Sequence, residues 1–281
     1  MLKNKLNFHK NDDFMDDRFF VDYNLINSCE GFDGETAVNN IAEFMQFNLE
    51  LFLTGKRYQV AKNFSEFSEV DFYPSLGFAR SAKKGRGVRP KSFIEILDLI
   101  AYRENAASII NGNIFAPVLV DNYGEDRNSD FLIKLMLPQI SEYTKKVAIE
   151  NSLETTTIVT KTWDCATNNW VSYETVLAKY PSDLVFRLIV PEDMLTYKLP
   201  YNPNDFICTY WRTIVNYSRE NSDLKPYTQE EFRKFIKSEY GTYHEYILHI
   251  VEEMSDAELL GYMPQFRERS KINRSKKNKK D

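Results

Sequence analysis

Apolar residues in the first third of the chain recur at helical spacing. Beyond Asp33 they lie three and four positions apart, which predicts one long amphipathic helix that Asp33 caps and Gly55 ends. Its apolar positions are Ala37, Ile41, Phe44, Met45, Leu49, Phe52 and Leu53. Pro90 fits the first turn of a second helix. The apolar positions of that helix are Phe93, Ile94, Leu97, Ile100 and Ala101.

A third helix is predicted to run from about residue 128 to about residue 150. Asn128 or Ser129 is placed to cap its start. Pro138 lies inside it and predicts a kink or a break into two helices, because proline removes one helical hydrogen bond and clashes with the preceding turn.

The middle of the chain changes to the pattern of β-strands. Residues 155–162 are rich in β-branched side chains, and residues 163–170 place turn residues between two tryptophans, which indicates a hairpin. The apolar run from Leu184 to Val190, ended by Pro191, predicts a buried strand.

Helical patterns return beyond Pro203, over residues 205–217, 228–240, 243–254 and a short stretch near 256–260. Thr228 and Glu231 have the spacing of a capping box. The predicted fold class is α+β, mainly helical, with a small central antiparallel or mixed sheet at about residues 155–190 flanked by N- and C-terminal helices. We expect one domain over residues 1–270, with a split near residue 200 as the alternative, and a disordered basic tail at 271–281.

Composition points to a folded protein of the cytoplasm. The chain has 281 residues, of which 43% are hydrophobic and 14% aromatic, and this is enough apolar surface for a substantial core. No run of about 18 apolar residues could span a bilayer, and the N-terminus lacks the apolar centre of a signal peptide, so we expect no membrane partner. Cys29, Cys165 and Cys208 are far apart, which is typical of reduced thiols.

The charge is distributed unevenly, and this suggests a docking role for two basic segments. The net charge is −5, whereas residues 271–281 carry +5. Lys276 and Lys277 in this tail could bind nucleic acid phosphates, or the tail could be a solvated end.

The second basic segment is a glycine-rich loop at residues 80–89. Its charges are Lys83, Lys84, Arg86 and Arg89, beside a predicted helix N-terminus, where backbone amides attract phosphate. A plain exposed loop would have the same composition. No Gly-Lys-Ser or Gly-Lys-Thr follows at the spacing of a nucleotide-binding loop.

The most site-like segment is an acidic cluster at residues 121–134. Its candidate metal ligands are Asp121, Glu125, Asp126 and Asp130. Mg²⁺ is the candidate ion, because it needs only one or two carboxylates plus water; otherwise no cofactor is expected. Asp126, Asp130 and Lys134 are the candidate catalytic residues of a metal-dependent phosphodiesterase. The structural alternative is that Ser129 and Asp130 cap a helix while Arg127 pairs with a neighbouring acid.

Two further patterns bear on function. A restriction-type nuclease needs an acid-x-Lys triplet on a strand, whereas the triplet Asp223-Leu224-Lys225 lies in a polar loop, and this disfavours intrinsic nuclease activity. Tyr197, Tyr201 and Tyr210 lie in or near a Pro-Tyr-Asn-Pro loop and are predicted to form an exposed contact surface.

Four segments together resemble a known group of proteins. They are residues 76–90 with the sequence Leu-Gly-Phe-Ala-Arg-Ser followed by Gly-Arg-Gly-Val-Arg-Pro, then residues 124–130, 163–170 and 186–194. Their order is similar to that in the N-terminal region of bacterial antiphage-defence-island proteins. Members of that group often carry a C-terminal restriction-type PD-(D/E)xK nuclease domain. This chain has a basic tail where that domain would begin, so the resemblance transfers no catalytic residue.

The resemblance implies a non-catalytic recognition or adaptor subunit of a defence complex. Such a subunit would bind DNA, RNA or a phage product and would rely on a separately encoded effector or another subunit of the complex. The alternative is the metal-dependent phosphodiesterase or nuclease that uses the acidic cluster at residues 121–134.

Overall fold

Helices dominate the part of the chain that the structure describes, and the strands found there form two separate antiparallel pairs. The computed structural model describes residues 6–8, 19–67, 90–111, 116–120, 123–181 and 183–262. The helices are α1 Gly34–Leu53, α2 Arg57–Phe64, α3 Pro90–Ile100, α4 Ala106–Ile110, α5 Ala116–Leu119, α6 Glu125–Leu135, α7 Leu137–Asn151, α8 Pro203–Asp205, α9 Arg212–Glu220, α10 Gln229–Tyr240, α11 Tyr243–Glu253 and α12 Asp256–Gly261. The strands are β1 Phe20–Val21, β2 Glu154–Asp164, β3 Asn169–Lys179 and β4 Leu195–Thr196. The predicted fold class is confirmed. Among the described helices, none combines the length and the apolar character needed to cross a membrane.

The local signals around α1 produce the helix that they predict. The carboxylate of Asp33 accepts a hydrogen bond from the amide of Thr36 at 3.2 Å, which satisfies one of the donors that a helix start leaves open. Gly55 follows the last turn with φ +77°, a conformation that costs glycine little. Helix α3 also begins at Pro90 as predicted.

The ring of Phe44 on α1 lies at the centre of an aromatic core. Its centroid lies between 4.8 and 6.0 Å from five other aromatic rings. These belong to Phe64, Phe67, Phe131, Trp163 and Trp170. Full burial of one such side chain contributes about 1.5–3 kcal/mol. The cluster therefore joins α1, α2, α6 and the β2–β3 hairpin.

The break at Pro138 is confirmed, and the predicted cap is wrong. Helix α6 ends at Leu135, and α7 begins at Leu137 with Pro138 in its first turn. Helix α6 begins at Glu125, three residues before Asn128 and four before Ser129, and Gly124 is its N-cap. Asn128 and Ser129 therefore lie inside the helix. Their side chains contact Tyr201 and Val21 and do not cap the helix start.

The hairpin forms as predicted, in one continuous register. Strands β2 and β3 pair antiparallel from Glu154 opposite Lys179 to Asp164 opposite Asn169. The second pair is short and joins distant segments, since Phe20 lies opposite Thr196 and Val21 opposite Leu195.

The run Leu184 to Val190 is not a strand, so the sheet predicted at residues 155–190 ends at Lys179. Only Arg187 in this run bridges to β3, through Ala178. The amide of Ile189 donates to the Thr144 hydroxyl of α7 at 2.9 Å. A side chain from α7 therefore occupies the place of a neighbouring strand. Leu184, at the start of the run, is 71% exposed.

The C-terminal helices follow their local capping signals. Capping boxes begin α10, α11 and α12, and their N-cap residues are Thr228, Thr242 and Ser255. A six-residue π-helix, Phe206–Trp211, separates α8 from α9. The predicted helices in this region are confirmed.

Arg103, between α3 and α4, fastens the C-terminal helices to the rest of the chain. Its guanidinium donates to the carbonyl of Met254 at 2.7 Å and to the carbonyl of Val251, which lie at the end of α11. It also forms an ion pair with Asp256 of α12 at 3.1 Å. Asp256 in turn accepts a hydrogen bond from the amide of Asn105 at 2.7 Å, and this bond, followed by that from Arg103, lowers its pKa.

We expect Arg103→Ala to lower the free energy of unfolding by about 2–3 kcal/mol, because two carbonyls and a carboxylate lose a charged donor. Arg57→Ala is the matched control: its ion pair with Asp98 is half-exposed, so its loss should cost less than about 1 kcal/mol. Urea unfolding followed by circular dichroism measures both. Equal losses in the two variants would contradict the role of Arg103.

Candidate functional site

The first turns of α6 bind two segments of the chain: strand β1 and the residues that follow β4. Ser129 is buried, and its hydroxyl accepts a hydrogen bond from the amide of Val21 in β1 at 2.9 Å. The same hydroxyl donates to the carbonyl of Glu125 one turn earlier at 3.1 Å. Ser129 therefore satisfies a buried backbone donor of an edge strand.

Glu125 binds the segment that follows β4. Its Oε1 accepts a hydrogen bond from the amide of Leu199 at 2.8 Å. Burial raises the pKa of this carboxyl, and it outweighs the Leu199 amide and Lys198, which both lower the pKa. Asp126 adds to the increase by repulsion. The Glu125 carboxyl thus binds the Leu199 amide, and its burial makes the ionised form less favourable.

Asn128 and Tyr201 form a fully buried polar pair next to Asp22. The Asn128 amide donates to the Tyr201 hydroxyl at 3.5 Å, and both residues are 0% exposed. Burial, followed by the negative charge of Asp22, raises the pKa of the Tyr201 hydroxyl. Asp22 accepts hydrogen bonds from the amide and the side chain of Asn24 at 3.0 Å. These contacts close a polar cluster that we call the α6 clasp: Asp22, Glu125, Asn128, Ser129 and Tyr201.

The candidate catalytic residues Asp126, Asp130 and Lys134 follow one another along one side of α6. Successive members are four residues apart, which gives a rise of about 6 Å along the axis. Asp126 and Asp130 are half-buried. Lys134 is 6% exposed, and its Nζ lies 5.8 Å from the centroid of the Trp170 ring. Burial lowers the pKa of Lys134, with Glu66 opposing and Lys161 reinforcing this effect.

The predicted metal ligands are only partly placed. Glu125, Asp126 and Asp130 share the first two turns of α6, whereas Asp121 lies outside the described residues. Within the described ranges, no group of three His, Cys, Asp or Glu side chains could hold a metal ion. The magnesium site stays a prediction.

The predicted nucleic-acid-binding residues lie outside the described residues. They are Lys83, Lys84, Arg86, Arg89, Lys276 and Lys277. Their role also stays a prediction.

The predicted tyrosine surface is wrong for Tyr201, which is fully buried. Tyr197 is 38% exposed and Tyr210 half-buried. Sequence reasoning also missed Asp22 as a member of the clasp. Its one signal was its place directly after the apolar run Phe19-Phe20-Val21, where a charged residue ends a buried strand.

A family model described as a domain of unknown function (DUF8370) matches residues 3–202. The chain belongs to this family. No curated protein and no solved structure matches the chain. The match ends one residue after Tyr201, so the whole α6 clasp lies within the DUF8370 domain. Helices α8 to α12 follow it.

An open pocket of about 450 Å³ lies where the DUF8370 domain meets these added helices. Val118 and Val120 form its wall on the DUF8370 side. Pro203 of α8 and Tyr243 to Glu245 at the start of α11 form the wall on the other side.

We expect Glu125→Gln to raise stability increasingly as the pH rises. The folded-state pKa of Glu125 is raised, so its contribution to stability is complete below the unfolded-state pKa and is lost as the pH rises through the folded-state pKa. Glutamine keeps an oxygen for the Leu199 amide and carries no charge. The midpoint of thermal unfolding measured from pH 4 to pH 8 tests this.

The control for this experiment is Glu104→Gln, which alters an exposed carboxylate. Its midpoint should follow the wild type at every pH. A Glu125→Gln variant that loses stability relative to the wild type as the pH rises would show that the buried charge is favourable.

Proposed function

We propose that the chain is a non-catalytic recognition or adaptor subunit of a bacterial antiphage defence system, acting in the cytoplasm. It would bind nucleic acid or a partner protein, and a separately encoded effector would carry out the chemistry. The proposal is supported by the internal use of the polar residues at the start of α6, together with the resemblance of the sequence to defence-island proteins.

Within the acidic segment, Glu125 and Ser129 hydrogen-bond to other parts of the same chain. Glu125 accepts from the amide of Leu199, and Ser129 accepts from the amide of Val21. A carboxylate that acts on a metal or a water needs its lone pairs directed at an open site. The Oε1 atom of Glu125 instead accepts a hydrogen bond from a backbone amide of the same chain.

Lys134 also has an environment that differs from that of a nuclease lysine. Such a lysine orients an attacking water beside two carboxylates. The Nζ of Lys134 lies over the Trp170 ring, two turns along the helix from Asp126. This position supports a packing role.

The acid-x-Lys triplet is placed in a turn. Asp223 has φ +57° and lies three residues after the end of α9, and Lys225 pairs with Glu231 of the next helix at 3.4 Å. The two side chains therefore belong to a helix connection and not to a strand that could present them to a scissile phosphate.

The purified chain should leave linear DNA, supercoiled DNA and single-stranded RNA intact in Mg²⁺ and in Mn²⁺. Gel assays at several protein concentrations measure this. Cleavage that Asp130→Ala abolishes, with circular dichroism unchanged, would overturn the adaptor role in favour of the metal-dependent phosphodiesterase.

In cells, phage protection should require a partner gene. Full protection by the chain alone would contradict the adaptor role.

Nucleic acid binding should weaken steeply with salt, because the positive charge is concentrated in residues 80–89 and 271–281. Fluorescence anisotropy at increasing salt measures the slope of affinity against salt concentration. Replacing Lys83, Lys84, Arg86 and Arg89 by Gln should reduce this slope by about one for each phosphate that the variant no longer neutralises. Lys234→Gln, an exposed lysine of α10, is the control. An affinity that does not depend on salt would contradict the prediction.

A further inference from the structure

The C-terminal part of the outer edge of β3 is closed by contacts within the chain. The amide of Val176 donates to the Ser141 hydroxyl of α7 at 2.9 Å. Ala178 exchanges two backbone hydrogen bonds with Arg187, each of 2.9 Å. The backbone groups of Val176 and Ala178 therefore point away from β2.

This fixes the direction of the backbone groups in β2. Residues directly opposite one another in an antiparallel pair either bond to each other or both point away. Val176 lies opposite Thr157, and Ala178 lies opposite Thr155, so the amides and carbonyls of these two threonines point away from β3. The alternation continues to Val159 and Lys161.

Among the described residues, nothing pairs with the outer edge of β2 over residues 155–161. In the part of the chain that the structure describes, no group outside the hairpin bonds to the backbone of these four outward residues. Their side chains are exposed, and Val159 is 72% exposed.

Proteins usually protect such an edge with free charges, proline or a bulge. Here the charges at its two ends are already engaged within the chain: Glu154 pairs with Lys179 at 3.1 Å, and Lys161 pairs with Glu66 at 3.0 Å. The centre of the edge is uncharged and β-branched. An extended strand can therefore pair with the outer edge of β2 without facing a charge that lacks an ion-pair partner.

We propose that this edge pairs antiparallel with the same edge of a second copy of the chain, about a two-fold axis. Such an interface is self-complementary, since each copy offers the same set of groups. The product is a four-stranded antiparallel sheet in which the two β2 strands lie at the centre.

Charge and hydrogen bonding select one register. Placing Thr157 opposite Val159 of the second copy, and Thr155 opposite Lys161, uses all four outward residues. A shift that places Val159 opposite its own copy brings Glu154 opposite Asp164, and like charges directly opposite are unfavourable. The opposite shift, with Thr157 opposite its own copy, leaves Lys161 without an outward partner.

The test is the mass of the full chain in solution, measured by sedimentation equilibrium over a range of concentrations. The wild type should show a reversible dimer of the 33.0 kDa chain. The double variant Thr157→Lys with Val159→Lys places lysine opposite lysine twice. Its dimer dissociation constant should rise by at least about tenfold.

The charge-swapped variant, Thr157→Glu with Val159→Lys, tests the register. It places glutamate opposite lysine twice, so its dissociation constant should stay within about threefold of the wild type. Ile149→Lys changes a residue on α7 that is 73% exposed, and it should leave the dimer unchanged. Circular dichroism checks that each variant is folded.

A wild type that is monomeric at every concentration overturns the proposal, and so does a dimer that the two lysines do not weaken. Capture of an unrelated extended peptide by a monomeric wild type would assign the edge to another partner and would equally overturn it. A charge-swapped variant as weak as the double-lysine variant would reject the register.

Discussion

The contact between Phe44 of α1 and Phe131 of α6 is the constraint on which the rest of the structure depends. Their ring centroids are 6.0 Å apart, and Phe131, Leu132 and Leu135 are all 0% exposed. A helix held this deeply carries its polar first turns toward the interior as well. Buried polar groups are costly unless they are hydrogen-bonded, so the start of α6 has to find partners within the chain. The α6 clasp supplies them.

The α6 clasp joins three distant parts of the sequence into one unit. Ser129 holds β1, and Glu125 holds the backbone after β4. Acidic and amide side chains at the start of this helix thus bind other segments of the same chain. The DUF8370 match extends to residue 202, so it includes the segment whose Leu199 amide binds Glu125 of α6. Helices α8 to α12 follow the match, and Arg103 is one of the residues that bind them to it.

Sequence reasoning located the helix that carries the candidate site and predicted the wrong cap for it, while the metal and catalytic roles of Asp126, Asp130 and Lys134 stay predictions. The acidic cluster is prominent because charge density can be read along the chain. The partners of Glu125 and Asn128 lie more than 70 residues away, at Leu199 and Tyr201. No spacing rule connects such residues, so a clasp within the fold and a ligand site have the same appearance in the sequence.

The sequence by itself determined the elements whose signals are local. The cap at Asp33, the break at Pro138 and the capping boxes of the C-terminal helices each depend on contacts within a few residues, and the hairpin depends on one turn. Only the tertiary structure decided whether the run Leu184 to Val190 forms a strand. The hydrophobic side chains of Leu188, Ile189 and Val190 are buried, but burial against a helix and burial in a sheet satisfy their hydrophobicity equally. Thr144 of α7 supplies the hydrogen bonds that a neighbouring strand would have given, and a contact 45 residues away leaves no trace in the local pattern.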